Sequence, residues 1–151
     1  MNIKEIMMDY YVRLNKDAIP LEKGELLKVV SITLRQFLKP TATCKDIKGE
    51  VFYVYVEDLD PIPLTVDILK IYGFEMASSE IQKYILWEHK YTVFAKKIDN
   101  EAWEIDIFSK ECKLPYQSAI VYHVHQLQQW LRFCGIEREI KMSSLTSINT
   151  I

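Results

Sequence analysis

The pattern of hydrophobic and polar positions changes near the middle of the chain. Over its first sixty residues, apolar residues come in short β-branched and aromatic runs punctuated by Gly and Pro, which is the pattern of strands rather than helices. The runs predict strands over residues 10–14, 26–33, 41–47 and 51–56, with a loop carrying Pro20 and Gly24 after the first. Lys48-Gly49-Glu50 reads as a tight hairpin turn between the last two. Residues 34–40 carry no clear period. In the fourth run Val51, Tyr53 and Tyr55 share one face and Phe52, Val54 and Val56 the other, so that strand is expected to be buried on both sides.

Pro61-Ile62-Pro63 ends this pattern. Proline fixes φ and has no N–H to donate, so no strand is expected past Leu59. Thr65 then offers an N-cap, with Asp67 in the first turn, and Ile68, Leu69, Ile71 and Tyr72 follow at helical spacing up to Gly73. A helix of two turns is too short to persist without packing on strands. Strands are predicted over 81–88, 91–98 and 102–108, joined by Glu88-His89-Lys90 and Asp99-Asn100-Glu101 as a meander. The third alternates cleanly, with Trp103, Ile105 and Ile107 facing inward and Glu104 and Asp106 facing water. Pro115 is expected to break the chain. From about Ser118 a helix carries Ile120, Val124, Leu127, Leu131 and Cys134 at spacings of four, three, four and three and stops at Gly135. Residues 141–151 are polar without a period and read as a tail.

The fold class is therefore α+β. A small antiparallel barrel, SH3-like, spans 1–60, and a helix, a three-stranded meander and a closing helix span 61–140. Composition fits: 151 residues, 49% hydrophobic and 26% charged, are enough to bury a core without metal or disulfide. Up to Asp60 there are 9 basic and 10 acidic residues and after it 10 and 11, so neither half is a basic module of the kind that binds phosphate non-specifically. Cys44, Cys112 and Cys134 are an odd number without CxxC spacing, which fits reduced thiols in a cytoplasm. Lys4, Glu5 and Asp9 interrupt the N-terminal apolar residues, and neither a signal peptide nor a membrane span is expected.

PIPLT followed by I-L-x-x-x-G-F, over residues 61–74, and Y-H-V-H-Q-L-Q with a following Leu and Gly, over residues 122–135, resemble a family of small uncharacterised proteins. These are encoded in Bacteroides-type gut bacteria and in their prophages and other mobile elements. The resemblance covers residues 51–137 and departs at Gln129-Trp130-Leu131-Arg132-Phe133, where the family tends to an aliphatic and aromatic run ending in a small residue. It implies a cytoplasmic accessory protein and brings no activity with it.

The chemistry-bearing residues are few. His123 and His125 form the only His-x-His, a chelating pair on a strand but about 200° apart on the helix predicted here. Glu104 and Asp106 share a strand face, with Glu88 and His89 in reach of the same sheet, and buried carboxylates so placed could do acid–base work with a histidine. Their alternation with Trp103 and Ile105 favours a solvated face instead. Cys112 stands between Glu111 and Lys113, and nothing in the local sequence guarantees the cation and base that a reactive thiolate needs. Four glycines make no phosphate-cradling loop, and GxSxG, HExxH and zinc-finger spacings are missing. The excess lies in aromatics: nine Tyr, three Trp and six Phe.

The sequence thus points to a non-catalytic binding or accessory protein with no cofactor, no metal and no catalytic residue. Tyr53, Tyr55, Trp130, Phe133 and His123 are its candidate contact residues. A protein partner is the first expectation, then nucleic acid stacked on the barrel's aromatics, then pairing of two chains through an open strand edge. No membrane is involved on this reading, and an enzyme using Glu104, Asp106 and a histidine is the alternative of a different class.

Overall fold

The computed structural model describes residues 10–36, 38–111, 115–138 and 140–146. They hold two five-stranded antiparallel sheets and a few short helices, an α+β arrangement in the broad sense. The chain divides into two compact units, one running to Ile62 and resuming at Lys141, the other spanning Pro63–Ile140.

In the front unit β1 (Tyr11–Leu14), β2 (Leu26–Thr33), β3 (Thr41–Lys45), β4 (Val51–Tyr55) and β5 (Leu59–Pro61) pair in the order β4-β3-β2-β1-β5. A single 3-10 turn, Val56–Asp58, separates the last two strands. The strand expected to stop at Leu59 instead continues as β5, with Leu59, Asp60 and Pro61 opposite Leu14, Arg13 and Val12. Proline is tolerated there because β5 is an edge strand, whose outward N–H has no ladder to serve. Asn15 fastens the return: its N–H donates to Asp58 O at 2.8 Å and its Nδ2 to Glu57 O at 2.9 Å. The core is aliphatic, built from Val12, Leu14, Leu21, Leu27, Val29, Val54, Val56 and Leu59 around Ala42 and Cys44. The pairings end at β4 and β5, so the sheet is not closed by hydrogen bonds. Part of the polar C-terminal segment forms α3 (Met142–Thr146), which lies against β2 and buries Leu145 completely.

The back unit orders β6 (Glu75–Ser78), β7 (Lys83–Trp87), β8 (Tyr91–Lys97), β9 (Trp103–Ser109) and β10 (Pro115–Val121) as β10-β9-β8-β7-β6. The three central strands are those of the predicted meander; the two edges were not expected. Glu-Met-Ala-Ser has no apolar alternation to announce β6. Pro115 opens β10 rather than breaking the chain, again at an edge. Residues 118–121, predicted as helix, are therefore strand, and α2 runs Val124–Phe133. Its start is set by His123 at the N-cap and by Gln126, whose Oε1 accepts from Tyr122 N and His123 N at 2.7 and 3.1 Å.

Helix α1 (Val66–Ile71) is capped by Thr65 as predicted, its Oγ1 accepting from Ile68 N at 3.4 Å. Gly73 ends it at φ +97°, and Phe74 N donates back to Leu69 O at 3.0 Å. A Cβ at Gly73 would stand 2.7 Å from Arg138 Nη1, the end of a flexible side chain that can give way, so it is the positive φ that favours glycine here. On the sheet's inner face Tyr84, Leu86, Val93, Ala95, Trp103, Ile105 and Ile107 are all buried. Trp103 Nε1 donates to Leu64 O at 3.0 Å, and Leu64 N donates to Tyr122 O at 2.9 Å. Pro63 pairs with His123 in an isolated bridge. Pro63-Leu64-Thr65 and the Tyr122-to-Gln128 segment, far apart in sequence, thus meet at one junction of the back unit.

Candidate binding face

The hairpin β3–β4 is built from its turn outward. Asp46 Oδ1 accepts from Lys48 N at 3.0 Å and Glu50 N at 2.8 Å, which fixes the turn and thereby the strand register. That register pairs Thr41 with Tyr55, Thr43 with Tyr53 and Lys45 with Val51, and in between Ala42 with Val54 and Cys44 with Phe52. Successive residues of a strand point to opposite faces, so Ala42, Cys44 and Val54 enter the core and Val51, Tyr53 and Tyr55 do not. Tyr53 is 78% exposed and Tyr55 48%. The expectation that this strand is buried on both sides is therefore wrong. β4 is an edge strand among the described residues, and its outer face is exposed at Val51, Tyr53 and Tyr55.

Beside Tyr53 the chain makes a cavity of about 280 Å³ lined by Thr33, Arg35, Leu38, Lys39, Thr41 and Tyr53. Lys39 spans its rim. Its ammonium donates to Glu57 Oε1 at 2.7 Å and lies 5.5 Å from the centroid of the Tyr55 ring. The hydrogen bond and charge of Glu57 raise the Lys39 pKa, so this lysine stays cationic. Leu34 and Leu38, on the β2–β3 loop, are 68% and 62% exposed. The face thus combines two tyrosines, exposed leucines, the cations Arg35, Lys39 and Lys45, and a strand edge that pairs with no strand among the described residues. Arg35, Leu38 and Lys39 come from residues 34–40, where no period was found. The one signal there is that Leu34 and Leu38 are each followed by a cation, which is not a period.

The other sequence candidates fall elsewhere. Trp130 and Phe133 stack at 5.8 Å with 12° between their planes, and Phe133 is 72% exposed, so both stand together on the outer side of α2. Nε1 of Trp130 is buried without a hydrogen-bond partner. His123 stands at the N-cap of α2 and is half-buried. Because it is extended at the N-cap instead of helical, its ring lies over that of His125 at 5.5 Å and 10°, contrary to the separation predicted for a helix. His125 itself is buried, and no group of three or more metal-ligating side chains occurs among the described residues.

Glu104 and Asp106 share the outer face of β9, as predicted, and Asp106 accepts from the Ser118 hydroxyl. They do not converge on His89, which lies beyond the Tyr91–Ser109 pair in a cavity of about 500 Å³ lined by His89, Lys90, Tyr91, Ser109, Lys110 and Glu111. Glu88 is held by Arg138. Cys44 and Cys134 are buried, and burial pushes the Cys44 thiol up to about 11 and raises that of Cys134, which removes the thiolate a nucleophile needs. Cys112 lies outside the described residues. No described helix is long and apolar enough to cross a membrane. No family model matches the chain, and neither a curated protein nor a solved structure matches it.

Proposed function

We propose that this protein is a non-catalytic binding module that takes an extended segment of a protein partner along β4. The observation that carries the reading is Tyr53, 78% exposed on β4, whose second edge pairs with no described strand, beside a cavity. An extended segment can add its backbone to such an edge while alternate side chains enter the neighbouring pocket. Arg35, Lys39 and Lys45 select acidic residues in the segment, and Leu38 and Tyr53 select an apolar or aromatic one.

On this reading the front unit is an SH3-like small barrel. Support comes from the strand order, in which the last strand returns to pair with the first, and from the 3-10 turn that precedes it. The resemblance to mobile-element proteins supports an accessory role in the cytoplasm. The two motifs that carry it meet at the Leu64–Tyr122 junction of the back unit.

Matched baits test this. Wild type and Tyr53→Ala/Tyr55→Ala are used to capture from source cells, and retained proteins and nucleic acid are identified. Synthetic peptides from each retained protein are then titrated by fluorescence anisotropy. A peptide that binds wild type and loses at least roughly tenfold with the double variant supports the reading. Identical retention on both baits sinks it. Retention of nucleic acid alone, lost in Arg35→Ala/Lys39→Ala, would replace it with base stacking on the same tyrosines.

A further inference from the structure

The outer face of the back sheet is a second surface with no role in the β4 reading. Register places its side chains in three rows across the strands. One row holds Lys83, Lys96, Glu104 and Ile120, the next Ile85, Phe94, Asp106 and Ser118, and the third Trp87, Thr92 and Phe108. A solvent-facing sheet is normally polar, yet here Trp87 is 59% and Ile120 57% exposed, and Ile85, Phe94 and Phe108 are only half-buried. Phe94 and Phe108 meet edge to face at 5.4 Å, and Lys83 Nζ sits 4.2 Å from the Phe94 centroid.

The charges on this face are unbalanced in a particular way. Lys83 and Lys96 stand directly opposite each other on neighbouring strands, an unfavourable like-charge pair. Glu104 lies across from Lys96 on the other side, one strand too far to serve Lys83. Strand β8 is the centre of the order β10-β9-β8-β7-β6. A two-fold axis along β8 therefore exchanges β7 with β9 within each row. Under that operation Lys83 faces Glu104 and Trp87 faces Phe108, each contact occurring twice, while Thr92, Phe94 and Lys96, which lie on β8, each meet their own mate once.

We propose that a second copy of this chain docks on the outer face of the back sheet, related by a two-fold axis along β8. Lys83 and Glu104 of opposite copies form its charged rim, and Trp87, Phe94 and Phe108 form its apolar centre. Five strands about 4.8 Å apart and about 3.4 Å per residue make a face on the order of 24 by 24 Å. That is at the small end of specific interfaces, the range of weak association.

Sedimentation velocity from about 1 to about 300 μM, a range that brackets such affinities, reads the result. Wild type is expected to pass from monomer to dimer. Lys83→Glu and Glu104→Lys each break both copies of the ion pair and should weaken association roughly tenfold or more. Mixing the two variants restores both pairs in a heterodimer and should recover wild-type association within about threefold. A chain that failed to fold could not give that rescue. Monomer at every concentration overturns the proposal, as does a dimer indifferent to both substitutions or a mixture no tighter than its components.

Discussion

Both units contain a five-stranded antiparallel sheet, but the two sheets place their aromatic residues differently. The front sheet's aliphatic cluster is built from Val, Leu, Ala and Cys; Tyr10 and Tyr11 are buried at its first strand, and Tyr53 and Tyr55 turn outward on an edge. The back sheet buries Trp103 and Tyr84, edge to face at 5.9 Å, and also carries Trp87, Phe94 and Phe108 on its outer face. The difference follows from what each ring must satisfy. Trp103 finds Leu64 O for its N–H and can be buried at little polar cost, whereas Tyr53 stands exposed on an edge strand. Buried rings therefore contribute to stability in the back sheet's interior, whereas on the front sheet's edge the proposed role of the exposed rings is recognition.

The sharpest way to break that contrast is to truncate one ring of each kind. Trp103→Ala removes a side chain 1% exposed together with a buried hydrogen bond and should cost about 3–5 kcal/mol in urea unfolding. Trp103→Phe keeps most of the packing but strands Leu64 O, for about 1–3 kcal/mol. Tyr53→Ala should stay within about 1 kcal/mol while weakening peptide capture. Equal stability losses at Trp103 and Tyr53 would show that the exposed tyrosine is structural after all.

A smaller effect is expected at the turn that aims the tyrosines. Asp46→Ala removes the acceptor of two backbone N–H groups and should lower stability by about 1–2 kcal/mol. Because the turn sets the β3–β4 register, peptide affinity should fall as well, although Asp46 lies at the far end of the hairpin from the cavity. Unchanged affinity at reduced stability would separate the turn from the binding face.

How much of this was readable in the sequence depends on which residues had strong local rules. Thr65 and Gly73 bounded α1 because capping and left-handed geometry act within one turn. Alternation in Trp103–Ser109 placed Glu104 and Asp106 on the outer face for the same local reason. What failed was what depends on neighbours. Pro61 and Pro115 read as breaks, yet both sit in edge strands, and being at an edge is a property of the sheet rather than of the residue. Val51-to-Val56 read as buried on both faces because composition cannot tell an edge strand from a central one. Tyr53 and Tyr55 were therefore named as contact residues on their type alone. Arg35, Leu38 and Lys39 were missed because the loop that brings them to Tyr53 has no period.

The back sheet has its own turn aspartate, and it offers the finest test of the contrast. Asp99 Oδ1 accepts from Glu101 N and Ala102 N at 2.8 and 2.7 Å, and these backbone bonds hold its carboxyl below the ordinary value of 3.8. A carboxyl whose pKa is lower folded than unfolded contributes stability above the unfolded value and loses it as pH falls through the folded one. Asp99→Asn keeps an acceptor oxygen but removes the charge. The variant should therefore be slightly less stable than wild type at about pH 6, with the gap narrowing by about pH 3 as Asp99 itself becomes protonated. Urea midpoints at the two pH values measure this. A gap that stays constant would mean the turn is held by geometry alone, as an uncharged acceptor would hold it, and that charge has no part in fixing the β8–β9 turn.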